Sequence, residues 1–250
     1  MTVKARHNVS KILSIVIPAY NEEAYIGRLL ELIGEVDMAS LDLTLEIIVV
    51  NDCSSDRTAE IVANIPDVRL LNHSVNGGKG QAVRTGLEAI NGDYVLVQDA
   101  DLEYDPQDYL VLLPPVLNGD VDVVYGSRYM KDLDKGILKN LVNAKHPEQS
   151  WAAYLGGRSF SLFAWLFTGR LLNDTVTAYK LFPAQLLCNM ELVTTGFELD
   201  HEISCKVLAR GHRIKEVPIR YYPRTVADGK KIGLSDWFKA IKTFYRFRNG

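Results

Sequence analysis

Leu45–Asp52, LEIIVVND, is a mostly apolar, β-branched run that stops on two polar residues. A run of this length and composition reads as a strand buried on both faces. The pattern recurs on either side of it. Ile12–Ile17 (ILSIVI) is halted by Pro18, and Val68–Leu71, Tyr94–Val97 and Val121–Tyr125 repeat the signal. Helical periodicities lie between. Glu22–Gly34 places Ile26, Leu29, Leu30 and Ile33 at three- to four-residue spacing. A second helix runs through Ile65 with Ser54, Ser55 and Asp56 as cap candidates, and a third spans Gln81–Ile90. This alternation predicts an α/β fold: a mainly parallel, Rossmann-like sheet flanked by helices. Such sheets bind ligands beyond the carboxyl ends of their strands. Polar clusters fall there repeatedly: Tyr20-Asn21-Glu22, Asn51-Asp52, Asn76–Gly80, Asp99–Asp101 and Gly126-Ser127-Arg128.

The second half reads differently. Lys131–Ser150 is polar and aperiodic, which predicts a mobile loop. Trp151–Leu172 is apolar around most of its circumference, but its longest uncharged stretch, Ser159–Gly169, has 11 residues. A membrane span needs about 20. A further helix is expected within Met190–Leu208 and a strand within Arg213–Tyr222. TVADGKKIG (Thr225–Gly233) reads as flexible, and Ser235 as the cap of a last helix from Asp236 to about Phe247.

Composition bounds the function. With 250 residues, 47% of them apolar, the chain has material for a core, which excludes a disordered or collagen-like protein. Cys53, Cys188 and Cys205 fit no zinc spacing and no CxxC motif, so a reducing, cytoplasmic compartment is expected. MTVKARHNVSK carries no apolar run of the signal-peptide kind. The net charge is −3, but Lys206–Gly250 holds 12 Lys/Arg against 3 Asp/Glu, net +9, leaving −12 on the first 205 residues. That split points to an anionic partner near the C-terminal end.

Two motifs bear on chemistry. Gly78-x-Gly80-x-x-Val83 lacks the third glycine of a dinucleotide fingerprint, and no P-loop signature is present. The turn is as consistent with a simple strand-to-helix connection as with a phosphate cradle, with Lys79 as a candidate phosphate contact. Asp99-Ala100-Asp101 is sharper. Two carboxylates at i and i+2 after a buried strand suit a hard divalent cation, Mg²⁺ or Mn²⁺, completed by substrate phosphates. Asp52, at another strand end, strengthens that reading.

Taken in order, SIVIPAYNEE, EIIVVNDCSSDRT, NGGKGQAVRTGLEA, GDYVLVQDADLEYDP and VVYGSRY resemble the family 2 glycosyltransferases of the GT-A fold. NDTVTAYKLF, GFELDHEI and VPIRYYPR with GKKIGLSDWFKAIKTFYRFR point to the branch of dolichyl-phosphate mannose synthases and their bacterial relatives. The resemblance spans Leu13–Arg248. It implies one domain over residues 1–250, with a nucleotide-sugar half of about 12–130 and an acceptor- and membrane-facing half of about 131–250. It further implies a nucleoside pocket at Pro18, Ala19, Tyr20 and Glu22, with Asp52 on base or ribose. Lys79, Asp99, Ala100 and Asp101 would meet the rest of the donor, Asp99 and Asp101 holding the metal and Asp101 as the most direct ligand. Arg128 would meet a phosphate, and Glu103 the metal or sugar.

The acceptor decides the rest. A phosphate monoester is largely ionised near pH 7 and needs cations for positioning. A hydroxyl needs a carboxylate base, for which Glu198, Asp200 and Glu202 are candidates. Asp174 matches a position of the family. Arg158, Arg220, Arg224, Lys230 and Lys231 are candidates for an acceptor phosphate. In the last helix Trp237, Ile241, Phe244 and Tyr245 fall on one side with Lys239, Lys242 and Arg246 on others, a pattern suited to the membrane interface. The resulting expectation is a metal-dependent, inverting hexose transfer from a GDP- or UDP-sugar to polyprenyl phosphate, peripheral at the cytoplasmic membrane face and without a nucleic-acid partner. The same donor chemistry on a glycan hydroxyl, a nucleotidyltransferase and a non-catalytic binding module are the alternatives.

Overall fold

The computed structural model describes residues 10–130, 151–223 and 234–249. Strands β1 (Lys11–Ala19), β2 (Leu43–Asn51), β3 (Val68–Asn72), β4 (Tyr94–Val97), β5 (Val123–Ser127), β6 (Lys180–Pro183) and β7 (Ile214–Pro218) form one sheet in the order β3-β2-β1-β4-β6-β5-β7. All neighbours are parallel except β6, which runs antiparallel to both β4 and β5. The expected mainly parallel sheet is therefore present. β6 is not among the expected strands, because its four residues include Lys180 and follow a polar stretch.

Helices α1 (Ile26–Gly34), α2 (Thr58–Ala63), α3 (Lys79–Leu87), α4 (Tyr109–Leu117), α5 (Trp151–Thr168), α6 (Ala184–Cys188), α7 (Leu199–Ala209) and α8 (Leu234–Arg246) complete the layers. One core lies on the α1/α4 side, built on Leu13, Ile15, Ile17, Leu29 and Ile33 with Leu112, Leu113 and Tyr179. The other lies under α3 and α7, where Val16, Val95 and Tyr125 meet Val83, Ile203 and Val207. The alternation of β1 between these clusters is the period-two signature of a strand covered on both faces. α4 escapes the sequence reading because Pro114 and Pro115 sit inside it.

Of the expected caps of α2, Asp56 accepts the amide of the helix's first residue, and Ser54 serves elsewhere. The helix starts at Thr58 without a side-chain cap from Arg57. Asp56 accepts from the Thr58 amide (2.9 Å) and hydroxyl (2.6 Å), while Ser54 Oγ accepts from Asn21 N–H at 3.0 Å. With the Glu23 amide donating to Asp56 Oδ2 at 3.1 Å, Ser54 and Asp56 tie the loop after β1 to the loop after β2.

α8 packs on α5 and α7, and Phe244, Phe247 and Ala164 form a small core with Cys205. The aromatic stripe expected on one side of α8 is thus split. Phe244 is buried, whereas Tyr245 and Phe238 face outward. The expected loop Lys131–Ser150, the stretch Thr225–Gly233 and the side chains of Trp151, Ser235 and Trp237 lie outside the described residues.

Candidate active site

The expected polar clusters collect along one edge of the sheet, where β1, β2 and β4 end side by side. Asp52 N–H donates to Ala19 O (2.8 Å) and Gln98 N–H to Val16 O (2.9 Å), so the loops after β2 and β4 flank β1. A non-glycine residue with positive φ sits in each of these loops: Asn21 (55°), Cys53 (62°) and Leu102 (59°). Left-handed backbone costs energy for Cys and Leu, and such positions concentrate at functional edges. Of the expected nucleoside pocket, Tyr20 is exposed, Pro18 and Glu22 are half-buried and Ala19 is buried. The Glu22 amide is fixed by Thr58 Oγ1 at 2.9 Å.

The Gly-rich turn is explained by packing. Gly77 and Gly78 N–H donate to Asp52 Oδ1 and Oδ2 at 2.8 and 2.7 Å. Gly80 and Gln81 N–H donate to Thr195 O at 2.7 and 3.2 Å. Gly78 has φ +85°, and a Cβ there would lie 2.6 Å from Thr195 O; one on Gly80 would lie 2.7 Å from Thr194 O. The glycines let α3 dock against the segment before α7, and their amides are spent on protein acceptors. The turn is no open phosphate cradle. Asp52 is buried and also lies 2.7 Å from His73 Nδ1, so it staples this turn.

Lys79, from the same turn, lies at the centre of a charged row. Its Nζ is 2.7 Å from Asp99 and 3.2 Å from Asp200, whose other oxygen is 3.1 Å from Lys180 Nζ. Burial opposes charge on Lys79, but Asp200 and then Asp99 outweigh it and hold the ammonium above the ordinary lysine range. Burial pushes the Asp200 carboxyl up, yet the attraction of Lys180 and Lys79 prevails and keeps it well below the usual carboxylate range. Such a carboxylate is a poor proton acceptor. The expected base Asp200 is thus engaged by two lysine ammoniums in this structure. Lys180, missed in the sequence, is buried, titrates below the ordinary lysine range because burial outweighs Asp200, and donates to Thr177 O at 2.6 Å.

Asp99 and Asp101 occupy the turn after β4, with Ala100 buried between them. Gln98 fixes this turn from below. It accepts from Tyr109 Oη (2.7 Å) and Tyr179 Oη (2.5 Å) and donates to Asp99 O (2.9 Å). Asp101 Oδ1 accepts from the Glu103 amide at 3.2 Å. Among the described residues no three His, Cys, Asp or Glu side chains converge on one point.

The other candidates separate. Glu202 is fully buried and accepts from Val193, Thr194 and Lys206, which makes it a clamp on the pre-α7 segment rather than a base. Glu198 precedes α7, half-buried, with its carboxylate folded back over Gly196. Arg128, half-buried, donates from Nε and Nη2 to the fully buried Asp174 at 2.7 and 2.8 Å, a two-pronged pair. Glu103 accepts from Tyr221 Oη at 2.8 Å. Arg220 donates to Asp108 at 2.8 and 2.9 Å and pairs with Asp105 at 2.9 Å. In this structure Arg128 and Arg220 therefore bind protein carboxylates where phosphate contacts were expected. The Arg158 side chain, Arg224, Lys230 and Lys231 lie outside the described residues.

A mixed seven-stranded sheet with its polar turns gathered on one edge defines the GT-A class of fold. Solved structures agree: mannosyl-3-phosphoglycerate synthase from Rubrobacter xylanophilus matches over 95% of this chain and 72% of its own, with a TM-score of 0.69 and 20% identity. Glucosyl-3-phosphoglycerate synthase from Mycobacterium tuberculosis, solved with Mn²⁺, uridine-diphosphate and phosphoglyceric acid, matches over 95% of this chain and 78% of its own, also at TM-score 0.69 and 20% identity. The model of glycosyl transferase family 2 matches residues 14–167, and the chain belongs to that family. Its relatives include the low-salt glycan biosynthesis hexosyltransferase Agl6 of Haloferax volcanii, 29% identical over 90% of this chain and 51% of its own length. A dolichol-phosphate mannosyltransferase of Pyrococcus furiosus is 28% identical over 94% of this chain and 63% of its own. A dolichyl-phosphate beta-glucosyltransferase, ALG5A of Trichomonas vaginalis, is 29% identical over 92% of this chain and 71% of its own. The chain thus spans about half to two thirds of the length of the first two.

Proposed function

We propose that the protein transfers a hexose, with inversion, from a nucleoside-diphosphate sugar to a polyprenyl or dolichyl phosphate. The observation that carries the donor half is the Asp99-Ala100-Asp101 turn, held by Gln98 at the ligand-binding edge of the sheet. Oxygen donors of this kind suit Mg²⁺ or Mn²⁺. With two carboxylates offered among the described residues, the remaining ligands would come from the donor diphosphate and water, so Asp101 and Asp99 would hold the ion together with the nucleotide. When bound, the ion supplies charge neutralisation for the departing diphosphate. Pro18, Ala19, Tyr20 and Glu22 line the nucleoside side of the same edge.

In the transfer, an acceptor oxygen forms a bond to the anomeric carbon from the face opposite the diphosphate. The carbon–oxygen bond to the diphosphate breaks, and its electron pair leaves with the nucleoside diphosphate. A phosphate monoester, largely ionised near pH 7, performs this attack without a strong general base. The engagement of Asp200 by two lysines supports that acceptor over a hydroxyl. The names of the dolichyl-phosphate relatives support it as well. So does the outer face of α5 and α8. Leu162, Trp165 and Leu166 are exposed at i, i+3 and i+4, and Phe238 and Tyr245 are exposed beside Lys239, Lys242 and Arg246. Aromatic residues among basic ones suit the surface of an anionic bilayer. No described helix is long and apolar enough to cross one.

One observation favours a second reading, a hydroxyl acceptor. The half-buried Glu198 carboxylate receives no hydrogen bond or ion pair from the described residues and is available as a base.

The test incubates the protein with Mn²⁺ or Mg²⁺, GDP- and UDP-sugars, and a short-chain polyprenyl phosphate, and follows nucleoside diphosphate release and the lipid product by mass. Asp101→Asn should lower turnover by about 100-fold or more, in keeping with the several kcal/mol a catalytic cation supplies. Glu198→Gln should retain most of it. Turnover that survives Asp101→Asn unchanged would refute the donor assignment, and loss with Glu198→Gln would move the acceptor to a hydroxyl.

A further inference from the structure

Lys79 joins carboxylates that reach it from distant parts of the chain. Asp99 follows β4, Asp200 lies in the first turn of α7, and Lys180 in β6 holds the far oxygen of Asp200. The backbone beneath Lys79 is fixed on both sides. Gly77 and Gly78 are bonded to Asp52, and Gly80 and Gln81 to Thr195 O. Only the side chain has freedom to exchange partners, and the Phe197 ring lies 5.8 Å from Nζ. Asp99, on which Lys79 makes its shorter contact, is one of the two carboxylates offered to the cation. An ammonium is a compact charge that one carboxylate can give up while another retains it.

We infer that Lys79 is a built-in competitor for the divalent cation: in the absence of nucleotide it occupies Asp99 and opposes ion binding, and it yields Asp99, keeping Asp200, when a nucleoside diphosphate brings its own negative charge to the edge. The inference rests on the reading of Asp99 and Asp101 as cation ligands. It makes Lys79 a positioning residue that sets the order of assembly, with ion and nucleotide arriving together rather than the ion first. Asp200 and Lys180 then serve as the anchor that keeps the displaced ammonium within reach. The physical reason is like-charge repulsion, which is strong at the separations imposed by a shared carboxylate.

The experiment measures Mn²⁺ binding to the full chain from the electron paramagnetic resonance signal of the free ion, with and without GDP or UDP. Wild type is compared with Lys79→Met, which keeps the stem, with Lys79→Gln, which keeps a donor toward Asp200, and with Lys79→Arg. Circular dichroism monitors folding. Without nucleotide, the Met and Gln variants should bind Mn²⁺ at least about tenfold more tightly than wild type, because one like charge beside the ion is gone. Arg should leave the affinity unchanged, and Asp99→Asn added to Lys79→Met should erase the gain. If nucleotide recruits Mn²⁺ to wild type but neither variant gains without it, the competitor role of Lys79 is overturned and the cation site stands. If nucleotide recruits no Mn²⁺ to wild type, the cation reading of Asp99 and Asp101 falls, and the competitor role with it.

Discussion

Asp174 shows how one buried charge gathers its neighbours around it. Its carboxylate is fully buried and receives the Arg128 amide, Nε and Nη2. Its own amide and that of Asn173 donate to Glu216 on β7. The guanidinium lies 5.0 Å from the Tyr221 ring and 5.5 Å from Tyr129. A pair this deep contributes through the cost of breaking it, because the orphaned partner stays desolvated. Asp174→Asn should destabilise the fold by about 3–5 kcal/mol, measured as a lowered urea midpoint. An unchanged midpoint would show that the pair is not a structural lock. Gln98 plays a comparable part for the Asp99 turn, with two tyrosine hydroxyls on its oxygen.

Helix α7 carries the clearest conflict between burial and polarity. Asp200 faces the charged row, Glu202 clamps the preceding segment, and His201 lies between Phe160 of α5 (4.8 Å) and Phe244 of α8 (5.0 Å). His201 Nδ1 is buried without a hydrogen-bond partner. Burial, only partly offset by Asp200, drives its pKa down to about 3. The unfolded chain takes up the proton near pH 6.5, whereas the folded protein refuses it until pH is near 3. Between these values the unfolded state binds more protons, so stability falls as pH falls. His201→Phe keeps the ring packing and removes the titration. Between pH 6.5 and 5, wild type should lose about 1.6 kcal/mol more unfolding free energy than the variant, the slope rising from half of about 1.36 kcal/mol per unit at pH 6.5 to nearly all of it at pH 5. Parallel pH profiles from urea unfolding would contradict this account of the α5–α7–α8 contact.

At the scale of the molecule, α8 packs on α5, with the Phe167 and Tyr245 rings 6.1 Å apart, and exposes Lys239 and Lys242 while α5 exposes Leu162, Trp165 and Leu166. A basic residue near an anionic leaflet is worth about 1 kcal/mol. Lys239→Ala with Lys242→Ala should therefore weaken binding to phosphatidylserine-containing vesicles about thirtyfold, with little change on neutral ones. Co-sedimentation measures this, and equal binding of variant and wild type would place the lipid contact elsewhere.

The alternation of apolar runs with amphipathic segments determined the parallel sheet and the edge on which the polar turns gather, because local hydrophobic period decides which residues must be buried. The Asp99-Ala100-Asp101 turn was legible for the same reason: it ends a strand with nothing apolar around which to hide. Tertiary structure alone decided the partners. β6, short and lysine-bearing, enters between β4 and β5 through pairings 55 to 89 residues apart in sequence. Asp52 turned to the glycine amides, Asp200 to two lysines and Arg128 to Asp174 through contacts over 20 to 121 residues of separation. A carboxylate or guanidinium in a sequence declares its charge but not its counter-charge, which is fixed only when burial leaves it no water to turn to.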